Sequence, residues 1–326
     1  MSKIMFNLRP PEGSYGGGAF FVKNMVNFLY HKGHDIVYEL EPDIDLIFMI
    51  DPRKGDLKVN GLDEILDYRK KNPNCKIIYR VNECDIKREV SINLEPLLVK
   101  AITEADYVIF VSKWLMYYYI DKYEFNDEKI KNMSFILNGV NQDIFNNDIN
   151  IELTKYKNPE KINLVTHHFS NNYLKGFEIY NKLDELIGND NRFKDITLTY
   201  IGRYHDGYKP KNINLLPSCQ GIQLSNELKK CDIYLTATQN EPGAMHYLEG
   251  ASCGLPVLYR KNGGGAQEIC SKFGLEYNTI DDLLDKIMEI SMKYSEYKQK
   301  IENNFDYLSC RRCCEEFYVI IDKLLV

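Results

Sequence analysis

The chain has 326 residues, with 41 Lys and Arg against 47 Asp and Glu, so its formal net charge is −6. This length suggests about two domains, and the acidic balance argues against a nucleic-acid-binding protein, because neutralising phosphates needs an excess of Lys and Arg. The first residues include no apolar signal segment, and no run approaches the ~20 apolar residues of a membrane span. We therefore expect a cytoplasmic protein, and contact with the cytoplasmic face of a membrane stays open.

The nine cysteines are odd in number and irregularly spaced, which is typical of a reducing compartment and not of a disulfide framework. The cluster Cys310, Cys313 and Cys314 is a weak candidate for zinc, because no second CxxC pair exists to complete the site. The D-x-D at Asp43 and Asp45 precedes an apolar run, so we interpret it as a polar strand entry. We expect no metal and no other cofactor.

In the first half of the chain, short and nearly continuous apolar runs alternate with helical or loop stretches. Such runs are typical of strands buried on both faces of a parallel sheet. A helix is predicted between the first two runs, where Phe21, Met25 and Leu29 repeat at helical spacing before Gly33. The predicted strands are residues 3–8, 34–40, 45–50, 76–81, 107–112 and 134–140.

The polar stretch 141–161 interrupts this alternation and is the predicted linker. The second set of predicted strands is 161–169, 196–203, 213–217, 232–238 and 256–261, with helices at 175–187 and 224–230 and a helix-rich tail from residue 280. The pattern predicts two doubly wound α/β domains. We place them at 1–155 and 156–300, with the helix 301–326 packing back on the N-terminal domain.

Ligands of open α/β sheets bind at the carboxyl ends of the strands, so the loops that follow strands are the candidate sites, and a cleft between two such domains is the expected place. The loop GSYGGGAFF (13–21) follows the first predicted strand and precedes a helix. Its glycines allow a ligand close to the backbone, and the helix N-terminus favours an anion. A purely structural tight turn is the alternative.

The segment 238–268 is the most informative. Glu241 follows a predicted strand, Gly243 and Ala244 allow close backbone approach, and a helix starting near Ala244 carries Glu249. The two carboxylates can bracket the helix start, one bonding sugar hydroxyls and the other a ribose diol, while helix N–H groups take phosphate. The alternative is a pair of surface glutamates stabilised by the helix dipole.

The loop RVNECD after the fourth predicted strand also reaches the expected site. Its candidates for binding sugar or acceptor are Arg80, Asn82, Glu83 and Asp85, and a buried structural ion pair is the alternative. The histidines His167, His168, His205 and His246 are expected to be satisfied packing residues, because a zinc site needs three or four convergent ligands. His246 is the one that most needs testing.

Several segments together resemble the GT-B glycosyltransferases of the family 4 type, the glycogen-synthase-like retaining group. In chain order they are YGGGAFFVKNM, VIFVSKWL, FILNGVNQDIF, THHFSNNYLKGFEIYNKLD and EPGAMHYLEGASCGLPV followed by GGGAQE. The resemblance covers residues 3–268. It implies a GT-B fold of two Rossmann-like domains facing across a cleft.

The resemblance also implies roles for matching residues. Lys175 would pair with the donor diphosphate, Glu249 would hold the ribose hydroxyls and Glu241 the donor sugar. The backbone and cleft positions are the Ala244 and Met245 amides at the phosphate, Gly17 and Gly18 facing the diphosphate, and Asn138 lining the cleft.

Two departures from the family pattern stand out. Ser170 occupies the place of an Arg five residues before Lys175, and Arg203 is a candidate for the missing charge, with an ordinary surface Arg as the alternative. Ala244 replaces a glycine, so the loop is expected to be tighter.

The expected activity is metal-independent transfer of a hexosyl group from a nucleotide-diphosphate sugar to an acceptor hydroxyl. The resemblance implies that this transfer retains the anomeric configuration. The acceptor would be a glycan, a lipid-linked sugar or a protein. The alternatives are a sugar-nucleotide epimerase or sugar phosphorylase of the same fold, or a non-catalytic nucleotide-sugar-binding protein. The expected catalytic residues are Lys175, Glu241, Arg203, Asn82 and Asp85, and the donor-binding residues are Gly17, Gly18, Arg80, Asn138, Ser170, Gly243, Ala244, Met245 and Glu249.

Overall fold

A computed structural model of the protein describes residues 1–11, 16–55, 60–148 and 160–326. Their contacts divide the chain into two compact units, each of which is made of more than one segment. The first unit comprises Met1–Asp85, Ser91–Asn138 and Cys310–Val326, and the second comprises Ile86–Val90 and Gly139–Ser309. The domain boundary predicted at 155 falls within 149–159, outside the described residues, as do part of the predicted linker and residues 13–15 of the glycine loop.

In the described part of the first unit, six strands form a parallel sheet in the order β2-β1-β3-β4-β5-β6. Each strand overlaps the segment predicted for it, and all of them except the two edge strands, β2 and β6, are buried on both faces along most of their length, which explains the continuous apolar runs. The strands are β1 Lys3–Phe6, β2 Asp35–Val37, β3 Leu46–Met49, β4 Lys76–Val81, β5 Tyr107–Phe110 and β6 Met133–Phe135.

The helices of the first unit cover both faces of this sheet. Phe21 and Phe317 bring the first and the last of these helices together, with ring centroids 4.8 Å apart in one buried core. The helix after β1 begins at Gly17, so Gly17 and Gly18 form its first turn instead of a preceding loop. The helices are Gly17–His31, Leu62–Lys71, Glu95–Glu104, Lys113–Lys122, Asp127–Lys131 and Cys310–Leu325.

The second unit holds a second parallel sheet, with the six described strands in the order β12-β11-β10-β7-β8-β9. The sequence predicts five of these strands. It misses β12, an edge strand that contains a glycine and a glutamate and is mostly half-buried, so no continuous apolar run marks it. The strands are β7 Ile162–His168, β8 Ile196–Gly202, β9 Asn214–Leu216, β10 Ile233–Thr236, β11 Val257–Arg260 and β12 Gly274–Tyr277.

The helix predicted from residue 175 begins at Phe177, because Tyr173–Lys175 form a 3-10 turn and Gly176 has φ 110°. The helix predicted near Ala244 begins at His246. The helices of the second unit are Phe177–Asn189, Gly221–Lys229, His246–Ser252, Ala266–Cys270, Ile280–Met292 and Tyr294–Asn303.

The strand order of the second sheet reverses between β7 and β10. From β7 the chain proceeds outward to β8 and β9, then returns to β10 on the other side of β7 and proceeds to β11 and β12. Loops diverge at such a reversal and leave a crevice at the carboxyl ends of the two central strands. The two sheets with their helices confirm the predicted GT-B fold class of two Rossmann-like domains.

No disulfide joins any of the cysteines in the described ranges. Across the same ranges, no three His, Cys, Asp or Glu side chains converge as metal ligands would. The helices described here include none with the length and apolar character needed to cross a bilayer.

Candidate active site

Lys175 is positioned by the short connection between β7 and the next helix. Asn172 starts the 3-10 turn by accepting a hydrogen bond from the Leu174 amide at 3.0 Å, and Ser170 Oγ accepts one from the Asn172 amide at 3.3 Å. Gly176 ends the turn in the left-handed region, with φ 110°. Ser170, which stands where the family has Arg, therefore shapes the turn that carries Lys175.

Gly176 packs so closely on the end of β10 that we expect an alanine there to destabilise the protein. A Cβ at Gly176 would lie 2.4 Å from Ala237 Cβ, whereas one at Gly207 (φ 86°) would meet nothing within 4 Å. Gly207→Ala should cost about 1 kcal/mol from the left-handed backbone alone, and Gly176→Ala about 3 kcal/mol because crowding adds to it. Urea unfolding of both variants measures the difference, and equal losses would contradict the close contact.

Glu241 is held by the glycine run 263–265 of the following loop. The Glu241 amide donates to Gly263 O at 3.3 Å, and the Gly265 amide donates to Glu241 O at 2.8 Å. These two hydrogen bonds make an isolated β-bridge between Glu241 and Gly264, which joins the loop after β10 to the loop after β11. The backbone of Glu241 is therefore fixed on both sides at the carboxyl edge of the sheet.

The side chains of Lys175 and Glu241 form an ion pair, in which Nζ donates to Oε2. Both are largely shielded, with 18% and 11% of the side chains exposed. Burial raises the pKa of Glu241, but the charges of Lys175 and Lys87 outweigh it and hold the pKa below its usual range. Two groups predicted to bind different parts of one donor are thus already in contact with each other.

Lys87 is a residue near this pair that the sequence analysis missed. It lies in the short segment Ile86–Val90, which belongs to the second unit. The Asn172 side-chain amide donates to Lys87 O at 3.0 Å, and the Asn240 side-chain amide donates to Ile86 O at 3.3 Å. The segment is polar and far from Glu241 along the chain, so no local pattern could have indicated its place.

Glu249 lies in the helix His246–Ser252 and contacts the end of β7. Its Oε2 accepts a hydrogen bond from His167 Nε2 at 2.7 Å. His167 and Lys175 follow one another along β7 and its loop, and Glu241 and Glu249 do so after β10. One lysine–glutamate contact and one histidine–glutamate contact therefore join the adjacent ends of β7 and β10.

The loop between Glu241 and this helix differs from the expected phosphate cap in one respect. The Ala244 amide donates to the hydroxyl of Tyr247 at 2.9 Å, so it is already engaged within the protein. Met245 precedes the helix, and its carbonyl accepts from the Glu249 amide at 2.9 Å. Gly243 is half-buried beside them. The phosphate contacts expected of these residues stay predictions.

Arg203 lies next to the end of β7. Its amide donates to His168 O at 3.0 Å, and Tyr200 donates its hydroxyl to Arg203 O at 2.5 Å. The side chain is exposed, and its guanidinium makes no hydrogen bond to any residue in the described ranges. This is a suitable place for a replacement of the family Arg, and that role also stays a prediction.

In the first unit, the structure brings Arg80 and Asn138 together. Arg80 is 1% exposed, donates from Nη2 to Asn138 Oδ1 at 2.8 Å and stacks 4.3 Å from the Phe21 ring centroid. Burial lowers the pKa of Arg80 to about 10. Arg312 of the C-terminal helix donates to Asn138 O at 3.0 Å and Leu137 O at 2.7 Å, a support that the sequence analysis did not foresee.

The remaining candidates of the first unit take two different positions. Asn82 lies against the helix start, since a Cβ on Gly18 would be 3.7 Å from Asn82 Nδ2. Asp85 instead accepts the amides of Leu94 at 3.0 Å and Glu95 at 3.3 Å, and so caps the helix Glu95–Glu104. Its carboxylate therefore has a structural partner, and its catalytic role is still only predicted.

Three histidines, His167, His168 and His246, form a buried cluster at the end of β7, as a packing role requires. They are not fully satisfied as expected, because His168 Nδ1 and His246 Nε2 are buried without a hydrogen-bond partner among the described residues. Burial holds the pKa values of His168 and His246 well below the ordinary range. His168 Nε2 contacts the Tyr180 hydroxyl at 3.0 Å. His205 packs elsewhere, with its ring 5.3 Å from that of Tyr173. The third member, His167, is the one that also reaches a glutamate.

Part of the chain matches a known protein family. Residues 207–306 match the family described as "Glycosyl transferases group 1". This stretch, less than half of the chain, includes Glu241 and Glu249. No curated protein matches the sequence significantly.

Three solved structures share the fold. Sucrose-phosphate synthase from Thermosynechococcus elongatus is 12% identical, with 99% of each chain covered and a TM-score of 0.73. HepE from Anabaena, solved in complex with UDP, is 12% identical, covering 99% of this chain and 100% of that one, with a TM-score of 0.71. A glycosyltransferase from Rickettsia africae ESF-5 is 14% identical, covering 99% of this chain and 98% of that one, with a TM-score of 0.70. Part of the chain therefore matches a glycosyltransferase family, and the described chain shares the GT-B fold of these structures.

Proposed function

We propose that this protein is a retaining glycosyltransferase of the family 4 type, which transfers a hexosyl group from a nucleotide-diphosphate sugar to an acceptor hydroxyl. The observation that carries the proposal is the arrangement of Lys175, Glu241 and Glu249 at the adjacent ends of β7 and β10. A cation and two carboxylates there match the charges and hydroxyls of such a donor. The match to the group 1 glycosyltransferases and the UDP bound to HepE support it.

In the proposed reaction, the bond between the anomeric carbon and the diphosphate oxygen breaks, and its electron pair leaves with the diphosphate. The acceptor oxygen bonds to the anomeric carbon on the same face, and its proton passes to an oxygen of the departing diphosphate. Lys175 stabilises the charge that develops on the leaving group. Because this fixed cation meets that charge, we propose that no metal is needed.

Binding of the donor would rearrange the ion pair. Lys175 would turn from Glu241 to the diphosphate, and Glu241 would accept a hydroxyl of the donor sugar. Glu249 would accept the ribose hydroxyls. The pair keeps both side chains charged before the donor arrives. On binding, the diphosphate and a sugar hydroxyl would replace the partner that each side chain gives up.

Calorimetric titration with UDP, GDP and ADP tests the donor site. We expect one nucleotide to bind with micromolar affinity. Glu249→Ala should weaken that binding by about 10- to 100-fold, the loss expected for hydrogen bonds to a charged group. The matched control is Glu185→Ala, an exposed glutamate of the same unit, which should bind like the wild type. Absence of binding by all three nucleotides would overturn the proposal.

An assay of nucleotide release separates transfer from the alternative activities. With a glycan, lipid-linked or protein acceptor, a transferase releases the nucleotide only when the acceptor is present. Nucleotide release that depends on inorganic phosphate instead would identify a phosphorylase. Conversion of the donor in the absence of any acceptor would identify an epimerase. The anomeric proton coupling of the product, measured by NMR, tests retention directly.

A further inference from the structure

A continuous chain of buried polar side chains lies behind Glu249. His167 Nε2 contacts Glu249 Oε2 at 2.7 Å, and His167 Nδ1 contacts the Tyr234 hydroxyl at 3.1 Å. The same hydroxyl contacts His246 Nδ1 at 3.1 Å. His167, Tyr234 and His246 are only 2%, 0% and 8% exposed. The sequence analysis treats these histidines as packing residues, and the proposed reaction does not use them.

With both imidazoles neutral, the positions of the protons in this chain follow from counting donors and acceptors. A carboxylate only accepts, so His167 Nε2 carries a proton. The Tyr234 oxygen already accepts from the His167 amide at 3.2 Å, and its own proton goes to the bare Nδ1 of His167. His246 must then donate through Nδ1 to the same oxygen. Its Nε2 becomes an unprotonated nitrogen, which is buried without a partner among the described residues.

The backbone of two strands and a helix holds this chain in place. His167 is on β7 and Tyr234 on β10, and these strands are paired. The helix that carries Glu249 packs directly on the tyrosine, since a Cβ on Gly250 would be only 2.3 Å from Tyr234 Cδ2. The imidazole of His167 therefore has little freedom to move relative to Glu249.

The contact with His167 occupies one oxygen of the Glu249 carboxylate and leaves the other available. Glu249 Oε1 makes no hydrogen bond to a residue in the described ranges, and the side chain is 15% exposed. A carboxylate with one oxygen fixed presents the second in a defined direction. Buried partners of this kind set the geometry of the groups that contact a ligand.

We propose that His167, oriented by Tyr234 and His246, is a positioning residue that holds the Glu249 carboxylate so that Oε1 accepts a hydroxyl of the bound nucleotide. The inference rests on the proposed function, which assigns Glu249 to the ribose. His167 does not touch the ligand. Its loss should therefore act only through Glu249.

Two near-isosteric replacements test this directly. The amide nitrogen of His167→Gln lies where Nε2 was and still donates to Glu249, whereas that of His167→Asn lies where Nδ1 was and reaches only Tyr234. In calorimetry with UDP, GDP and ADP, the affinity of His167→Gln for the preferred nucleotide should be within about threefold of the wild type. The affinity of His167→Asn should be about 10- to 30-fold weaker. In turnover, Asn should raise the donor KM with kcat nearly unchanged, because the ribose does not react.

A double-variant cycle distinguishes positioning from general damage. In a protein that already carries Glu249→Ala, adding His167→Asn should weaken nucleotide binding by less than about twofold, because the carboxylate through which His167 acts is already absent. Additive losses, or equal losses in His167→Gln and His167→Asn, would overturn the inference. If the wild type binds a nucleotide and His167→Asn binds it equally well, the inference alone fails. If the wild type binds none of the three, the proposed function fails and this inference with it.

A measurement on the unmodified protein covers the case in which neither variant folds. Nitrogen-15 NMR should show the Nε2–H tautomer for His167 and the Nδ1–H tautomer for His246. A proton on Nδ1 of His167 and none on its Nε2 would overturn the inference, because His167 could then not donate to Glu249.

Discussion

Replacing Lys175 by methionine should lower turnover by about 100- to 1,000-fold, the loss found when one group that stabilises a developing anion is removed. Methionine keeps the length of the side chain and removes its charge. The leaving diphosphate would then lack the cation that lies beside Glu241. Initial rates of acceptor-dependent nucleotide release measure the effect. Lys182→Met is the matched control, because Lys182 is an exposed lysine of the next helix.

The same replacement should also destabilise the fold, which must be separated from the loss of turnover. Without Lys175, Glu241 is a buried carboxylate that has lost its ion-pair partner, and such a change costs about 3–5 kcal/mol. Adding Glu241→Gln to Lys175→Met removes the unpaired carboxylate charge. The double variant should recover most of the stability, as measured by urea unfolding, and stay inactive. Recovered turnover would show that Lys175 serves only to hold Glu241.

Replacing Glu95 by glutamine should destabilise the protein by about 2–4 kcal/mol. Glu95 is 2% exposed and accepts hydrogen bonds from Lys122 at 2.6 Å, Tyr118 at 2.7 Å and Tyr123 at 2.5 Å. It also accepts the amide of Asp85 at 2.8 Å, while Asp85 caps its helix. Glutamine fits the space but cannot match four donors with one carbonyl oxygen. Urea unfolding at pH 7 measures the loss.

The pH dependence of this loss gives a second test. Burial raises the pKa of Glu95, but the bonds from Lys122, Tyr123 and Tyr118 outweigh it and lower the pKa from 4.5 to about 2. A lowered folded-state pKa means that the contribution is complete above pH 4.5 and is lost as the pH falls toward 2. The full shift corresponds to about 3 kcal/mol, less in practice because Lys122 is half-exposed.

The difference in unfolding free energy between wild type and Glu95→Gln should therefore shrink between pH 5 and pH 2.5. A difference that does not change with pH would contradict the assignment. Glu185→Gln, at an exposed glutamate, should show no such trend.

Much of the fold could be predicted because its strands are buried on both faces. β3 is an unbroken apolar run in the sequence, and the burial of every one of its residues explains this. β12 could not be predicted in this way, because an edge strand with half-buried residues needs no such run. Gly17 and Gly18 were expected in a loop, but bonds from the Ala19 and Phe20 amides to Gly16 O start the helix earlier.

The sequence also indicated the main site residues, through motifs that follow strands. It could not indicate their partners. Asp85 and the Ala244 amide looked available for a ligand, yet each has a partner inside the protein, Asp85 at a helix start and Ala244 at Tyr247. Such bonds depend on side chains whose direction no linear pattern records.

By itself, the sequence determined the two α/β domains and the segments after β7 and β10 that carry Lys175, Glu241 and Glu249, because burial and backbone conformation constrain residue types locally. Only the tertiary structure decided that Lys175 pairs with Glu241 and that His167 pairs with Glu249. The physical reason is the pairing of β7 with β10, two strands separated by β8 and β9 along the chain. That pairing brings distant charges to one edge of the sheet, where their electrostatic interaction becomes strong.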